Sequence, residues 1–215
     1  MKHPWPLVHA ERHALIDDLA ELTPEQWETP SLAAGWSVHD VAAHLIDNAL
    51  ATFGGLLAAM VRARFDFDRQ NDQGVAAQRG ADPAETLQRL RSVADRTSGP
   101  PAPLASRLVE EIAHGEDIRR PLGVRRDYPL EAIGEAIRYQ AGTPTHFGGA
   151  KGLARRVCLV ATDGDFNLGE GPEVRAPALE LLMLVTGRPV RGLQGPGMAV
   201  LRLAGARLSD DGPAN

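Results

Sequence analysis

A single cysteine, Cys158, occurs in the chain, so no internal disulfide can form and the composition points to a reducing, cytoplasmic setting. Aromatic residues are scarce at 5%, while alanine and leucine dominate, a bias towards helix. Long apolar runs are missing as well. The two most apolar stretches lie near 41–60, where His44, Asp47 and Asn48 interrupt, and near 178–186, which is far short of a bilayer span. No membrane segment or membrane partner is therefore expected. No amino-terminal stretch joins a basic start to a long apolar core, so no leader is expected either. Positive charge is not in excess: the net charge is −5 with histidines neutral, and the arginine pairs at 119–120, 125–126 and 155–156 are short. This disfavours nucleic acid as a partner.

What remains is ordinary for a globular chain. Hydrophobic residues make up 43% and charged residues 24% of 215 residues, enough for one sizeable core or a main domain with a small appendage. Apolar spacing predicts a first helix over 7–22. A second starts after Ser37 as N-cap, with Asp40 as the capping-box carboxylate and Trp36 in the staple position. It is expected to run from Val38 towards Arg64, weakened or bent at Gly54-Gly55, and 66–80 reads as connector. A third helix is predicted over 83–97, and a fourth from Pro103 or Leu104 to about Arg120, with Pro121 and Gly123 as stop signals. Beyond it, 129–140 reads as helix, 155–163 as strand, 163–174 as turn and hairpin material, 176–187 as a short apolar helix and 198–205 as a last strand. The fold class is thus mainly α: a four-helix bundle over 1–125, with a small mixed α/β region over 126–215 packed on it.

The chemistry collects on the second and fourth helices. In LVEEIAHGEDIRRPLG, Glu110 and His114 are four residues apart, so their side chains can converge from adjacent turns. Such a pair is half of a metal site. Arg107 and Asp117 share that shoulder of the helix. On the second helix, His44 falls on the inward face with Val41, Leu45 and Asn48. E-x-x-x-H is ordinarily a surface hydrogen bond, and a buried histidine is ordinarily a satisfied core imidazole. Spacing alone leaves these readings open beside the metal site.

Asp117 and Asp40 are candidates to orient His114 and His44, each with a surface pair or helix cap as the alternative. Arg107 and Asn48 are the candidate catalytic groups. Arg107 is placed to meet an acidic substrate or to pair with Glu110 or Glu111; Asn48 to address bound water or to hydrogen-bond across the core. Cys158 reads as a small buried hydrophobe. His9 and His13 share a helix face, and Trp5, Trp27 and Trp36 read as core or domain-edge residues.

Three segments add a resemblance. GWSVHDVAAHL, VEEIAHGEDIRRPLG and EVRAPALELLMLVTGRP resemble, in order, segments of the DinB/YfiT-like superfamily and its mycothiol-dependent maleylpyruvate isomerase-like branch, and the likeness extends over roughly 5–190. It implies a DinB-like four-helix bundle holding a divalent metal through His44, Glu110 and His114. The remaining positions would be left to water, thiol or substrate. Zinc suits two nitrogens and one carboxylate oxygen, as do nickel, cobalt and iron. The usual tryptophan of the last helical motif is Glu116 here, and Glu111 offers a competing carboxylate.

The resemblance implies a metal-dependent isomerase or thiol transferase that uses mycothiol, a low-molecular-weight thiol, on a small electrophilic molecule. In the isomerase an arginine of the carboxyl-terminal domain is expected on the substrate carboxylate; neither Arg202 nor Arg207 is matched to it by the resemblance. Metal-assisted hydrolysis by bound hydroxide is the enzymatic alternative. A non-enzymatic ligand-binding or stress-response protein on the same scaffold is the other. A homodimer is compatible with so short a bundle, although no feature marks its interface.

Overall fold

A computed structural model describes residues 4–99, 102–145 and 148–203. The described chain is mostly helical, with one three-stranded sheet. It divides into two compact units, 1–126 and 127–215.

The first unit is built on four helices: α1 (Trp5–Ala20), α3 (Val38–Leu50), α6 (Pro83–Val93) and α7 (Ala105–Leu122). Helix α1 packs on α6 and α7, and α3 packs on the same two, so the four close into a bundle. Leu15, Leu19, Val41, Leu45, Leu90 and Ile118 meet around Trp27 in its core. Each such fully buried side chain contributes about 1.5–3 kcal/mol relative to exposure.

Local chemistry sets the helix ends. Pro24 opens the one-turn α2 (Pro24–Trp27) behind a Thr23 and Gln26 capping box. Ser37 and Asp40 form the reciprocal box expected at the start of α3, which fixes the phase at which His44 and Asn48 emerge. Helix α7 carries Pro121 inside its last turn and ends at Gly123, whose φ of +70° is the left-handed cap that glycine takes without strain.

Two expectations are corrected in this unit. The predicted helix from Val38 to Arg64 is two helices, and the break precedes the glycines. Ala51 turns extended, and Thr52 accepts a hydrogen bond from the Gly55 N–H at 3.1 Å to start α4 (Phe53–Arg62). The predicted connector at 66–80 contains α5 (Phe67–Gln78), capped by Asp66 accepting from the Arg69 N–H. Its low apolar content hid it; α5 buries Gln70, Gly74 and Val75 and packs on α3.

In the second unit, α8 (Leu130–Gly142) and α9 (Lys151–Ala154) precede β1 (Cys158–Ala161). β2 (Asn167–Leu168) pairs antiparallel to β1, and β3 (Glu173–Ala176) pairs parallel to it on the other side. Helix α10 (Ala178–Val185) packs on α8 and on the sheet. The predicted last strand at 198–205 is corrected: Met198–Leu203 is a helix, α11, begun by the Leu201 N–H donating to the Gly197 carbonyl. Its short apolar run imitated a strand, but only Leu201 is buried. Residues 204–205 lie outside the described residues.

Candidate metal centre

Helices α3 and α7 pack side by side and bring three predicted residues together. Nε2 of His44 lies 3.5 Å from Oε2 of Glu110, and Nε2 of His114 lies 3.3 Å from the same oxygen. All three donor atoms fall within 4.8 Å of one another. Coordination bonds of about 2.0–2.2 Å put two ligands of a tetrahedral ion about 3.4 Å apart, so both separations from Glu110 match such an edge.

The surroundings orient the donors. Nδ1 of His114 donates to Oδ2 of Asp117 at 2.9 Å, and Asp117 is fully buried. That bond keeps a proton on Nδ1 and turns Nε2 towards Glu110. Without an ion, a proton on Nε2 bridges His114 and Glu110, and a cation would take that proton's place. Asn48 Nδ2 donates to Glu110 Oε2 at 2.7 Å and lies 3.3 Å from His44 Nε2. Its Oδ1 accepts from Arg107 Nη1 at 3.0 Å, so Arg107 fixes the Asn48 amide, which fixes the carboxylate.

Electrostatics favour the ligating protonation states. Burial pushes the His44 imidazole down, and His114 adds to this against the pull of Glu110, so the ring is neutral at neutral pH. Burial pushes the Glu110 carboxyl up, but hydrogen bonds from His114 and His44, with the charges of His114 and Arg107, hold it well below the usual carboxylate range. Metals bind neutral imidazole and ionised carboxylate, so these residues fit a divalent ion. Glu110 keeps 29% of its side chain exposed, against 10% for His44 and 14% for His114. The carboxylate is therefore the edge that a small molecule reaches.

Other predicted residues sit elsewhere. Glu111 does not compete with Glu110; it turns towards α1 and pairs with Arg12 at 2.7 Å, both buried. Arg107 pairs with neither glutamate and contacts Asn48 and Ser106. Asp40 caps α3 and pairs with Arg79 instead of orienting His44. Glu116 is buried and pairs with Arg120. His13 contacts Asp95 and His9 the Arg96 carbonyl, so they do not form a metal pair. Arg202 is exposed on α11, and Arg207 lies outside the described residues. Sequence reasoning missed one neighbour: the Trp36 ring lies 5.0 Å from that of His44, and its Nε1 donates to Asp72 of α5 at 3.1 Å. The staple position was the available signal, because it pins Trp36 to the first turns of α3.

With this geometry in place, residues 8–106 match the family model described as the mycothiol maleylpyruvate isomerase N-terminal domain. Two solved structures share the fold. A crystal structure of the mycothiol-dependent maleylpyruvate isomerase is 17% identical, covering 89% of this chain and 91% of its own, with a TM-score of 0.60. A histidine-to-alanine mutant of that isomerase gives 16% identity, the same coverage and the same TM-score. Among curated proteins none matches. The maleylpyruvate isomerase domain match contains His44, Asn48 and Trp36, and Glu110 and His114 follow on α7. Among the described residues, no helix is long and apolar enough to cross a membrane.

Proposed function

We propose that this protein is a metal-dependent enzyme that uses mycothiol to isomerise, or transfer thiol to, a small electrophilic molecule. The observation that carries the reading is the convergence of His44 and His114 on one Glu110 oxygen at 3.5 and 3.3 Å, with His44 inside the stretch that matches the mycothiol isomerase domain model. His44, Glu110 and His114 would hold the ion, with zinc as the first expectation for two nitrogens and one oxygen. When bound, the ion supplies Lewis-acid charge that keeps a thiol ionised at neutral pH.

The chain's own residues do the rest. Asp117 keeps the His114 ring in one tautomer, and Asn48 keeps Glu110 turned inward. Trp36 covers the His44 ring and limits water on that side. Arg107 is buried with Nη1 committed to Asn48 and Nε to Ser106, which leaves Nη2 to receive an acidic group of the electrophile. An isomerase returns the thiol unchanged, and a transferase keeps the new carbon–sulfur bond.

The test is elemental analysis of tag-free protein beside His44→Ala, followed by turnover of a conjugated electrophile with and without mycothiol. Near-stoichiometric metal that His44→Ala loses, together with turnover that requires the thiol, supports the reading. Turnover without any thiol would replace it with metal-assisted hydrolysis, and metal retained by His44→Ala would remove the proposed ligand set.

A further inference from the structure

Helix α4 has ten residues, and only Met60 among them is buried. So short a helix, opened by Gly54 and Gly55, is marginal in water and draws its stability from packing an apolar face. Inside the chain that packing is slight: α4 rests on α5 and leaves its larger apolar side chains in water. Phe53, Leu57 and Val61 follow one another at four-residue steps, and Phe65 and Phe67 come next at the turn into α5; all five are between 52% and 68% exposed. Three of the chain's five phenylalanines thus stand in solvent within 53–67. Single apolar side chains at a surface need no explanation, but these five together leave about 500 Å² of apolar surface in water, towards the upper end of what the largest patch on a monomer reaches.

The relief of this face fits a copy of itself. Phe53, Leu57 and Val61 make a ridge, and the neighbouring row of Gly54 and Ala58, also exposed, makes a groove. A Cβ at Gly54 would meet nothing within 4 Å, so the groove is open. Ridges at four-residue steps seat in such grooves of a second helix in the commonest class of helix packing. A two-fold interface sets one patch against itself, and α4 carries both halves of the fit.

The rim agrees. Arg62, Arg64, Asp66, Asp68 and Arg69 border the apolar side chains, and among the described residues none of these side chains makes an ion pair. Both signs are present, so each copy offers acids to the arginines of the other. An anionic bilayer is the poorer match. A helix lying in that surface lines its polar face with lysine and arginine, whereas Asp66 and Asp68 flank exposed phenylalanines here.

We propose that α4 and the turn after it are the interface through which two copies of this chain form a two-fold dimer. Two such faces bury about 1,000 Å² from their apolar side chains alone, and the arginine stems beside them bring the contact to the roughly 1,200 Å² at which specific interfaces begin. Dimerisation through α4 depends on neither the metal centre nor the reaction proposed above, and none of these residues belongs to either.

Sedimentation velocity on tag-free, full-length protein from about 1 to about 200 µM tests this, with amide hydrogen exchange over 53–67 read at both ends of the range. Dimer is expected at the upper concentrations, with exchange there slowed about tenfold or more. Leu57→Glu and Ala58→Arg are each expected to raise the dissociation constant about a hundredfold or more with unchanged far-ultraviolet circular dichroism. Leu203→Glu, at an exposed leucine of the second unit, is expected to leave it unchanged. Protein that stays monomeric throughout overturns the proposal, as does a dimer that both folded variants leave intact, or exchange at 53–67 that ignores concentration. Adsorption of the monomer to phosphatidylserine vesicles in place of self-association assigns the face to a membrane and overturns it too. Should a variant lose its circular dichroism, the exchange measurement on the parent chain decides alone.

Discussion

The carboxylate of Asp117, fully buried, accepts the Nδ1 proton of His114 at 2.9 Å and so decides which nitrogen of that ring faces Glu110. Removing such an orienting partner typically costs ten- to a hundredfold in metal affinity. Asp117→Asn and Asp117→Ala are therefore expected to weaken zinc binding by about that factor, measured by competition with a chromogenic chelator. An unchanged affinity in both variants would show that the packing of α7 alone aims the ring.

Arg107 and Asn48 can be told apart kinetically. If Arg107 receives an acidic group of the electrophile, Arg107→Met is expected to raise KM for that electrophile about tenfold or more while metal content holds. If it acts only by holding Asn48, Asn48→Ala reproduces the defect in full. Steady-state kinetics on both variants, beside elemental analysis, decides.

His39 gives the fold a pH dependence separate from the metal centre. It is 2% exposed, with Nε2 2.6 Å from Thr86 Oγ1 and Nδ1 3.2 Å from Glu28. Burial pushes this imidazole below its ordinary 6.5, outweighing the pull of Glu28. The unfolded chain thus takes up the proton first, and the stability His39 contributes is fully present above about pH 6.5 and lost as the pH falls towards the folded value. Thermal unfolding of metal-free protein from pH 7.5 to 5 is expected to show falling Tm. His39→Gln is expected to flatten that slope.

The buried pair of Arg12 and Glu111 predicts a non-additive cycle. Burial pushes the Glu111 carboxyl up, and the pull of Arg12 offsets this only in part. Arg12→Met or Glu111→Met alone leaves an unmatched partner and is expected to cost about 3–5 kcal/mol. The double change to methionine is expected to cost less than either. Arg12 also reaches the carbonyls of Val93, Ala94 and Arg96 at the end of α6, which sets a floor on that recovery. Urea denaturation of the three variants measures the cycle.

The helices that carry the centre were legible because their signals are local. The box of Ser37 and Asp40 fixed where α3 begins, and the four-residue spacing of Glu110 and His114 placed both on one flank of α7. The role of Glu111 was not legible, because its partner, Arg12, comes from α1, far away in sequence. Helix α5 was hidden for a similar reason: its polar surface follows no apolar rhythm, and what recommends it is a close approach at Gly74 that no neighbour in sequence announces. The second unit misled at 198–203, where six residues are too few for period two and period 3.6 to differ.

The seam between α3 and α7 joins distant stretches of chain: Asn48 and Glu110, 62 residues apart, touch across it. A cation gripped there would act as a clasp on the bundle, adding about 4 kcal/mol of resistance to unfolding when supplied at a thousandfold excess over its dissociation constant. Starvation for that element would then shorten the lifetime of the protein against proteases as well as lower its turnover.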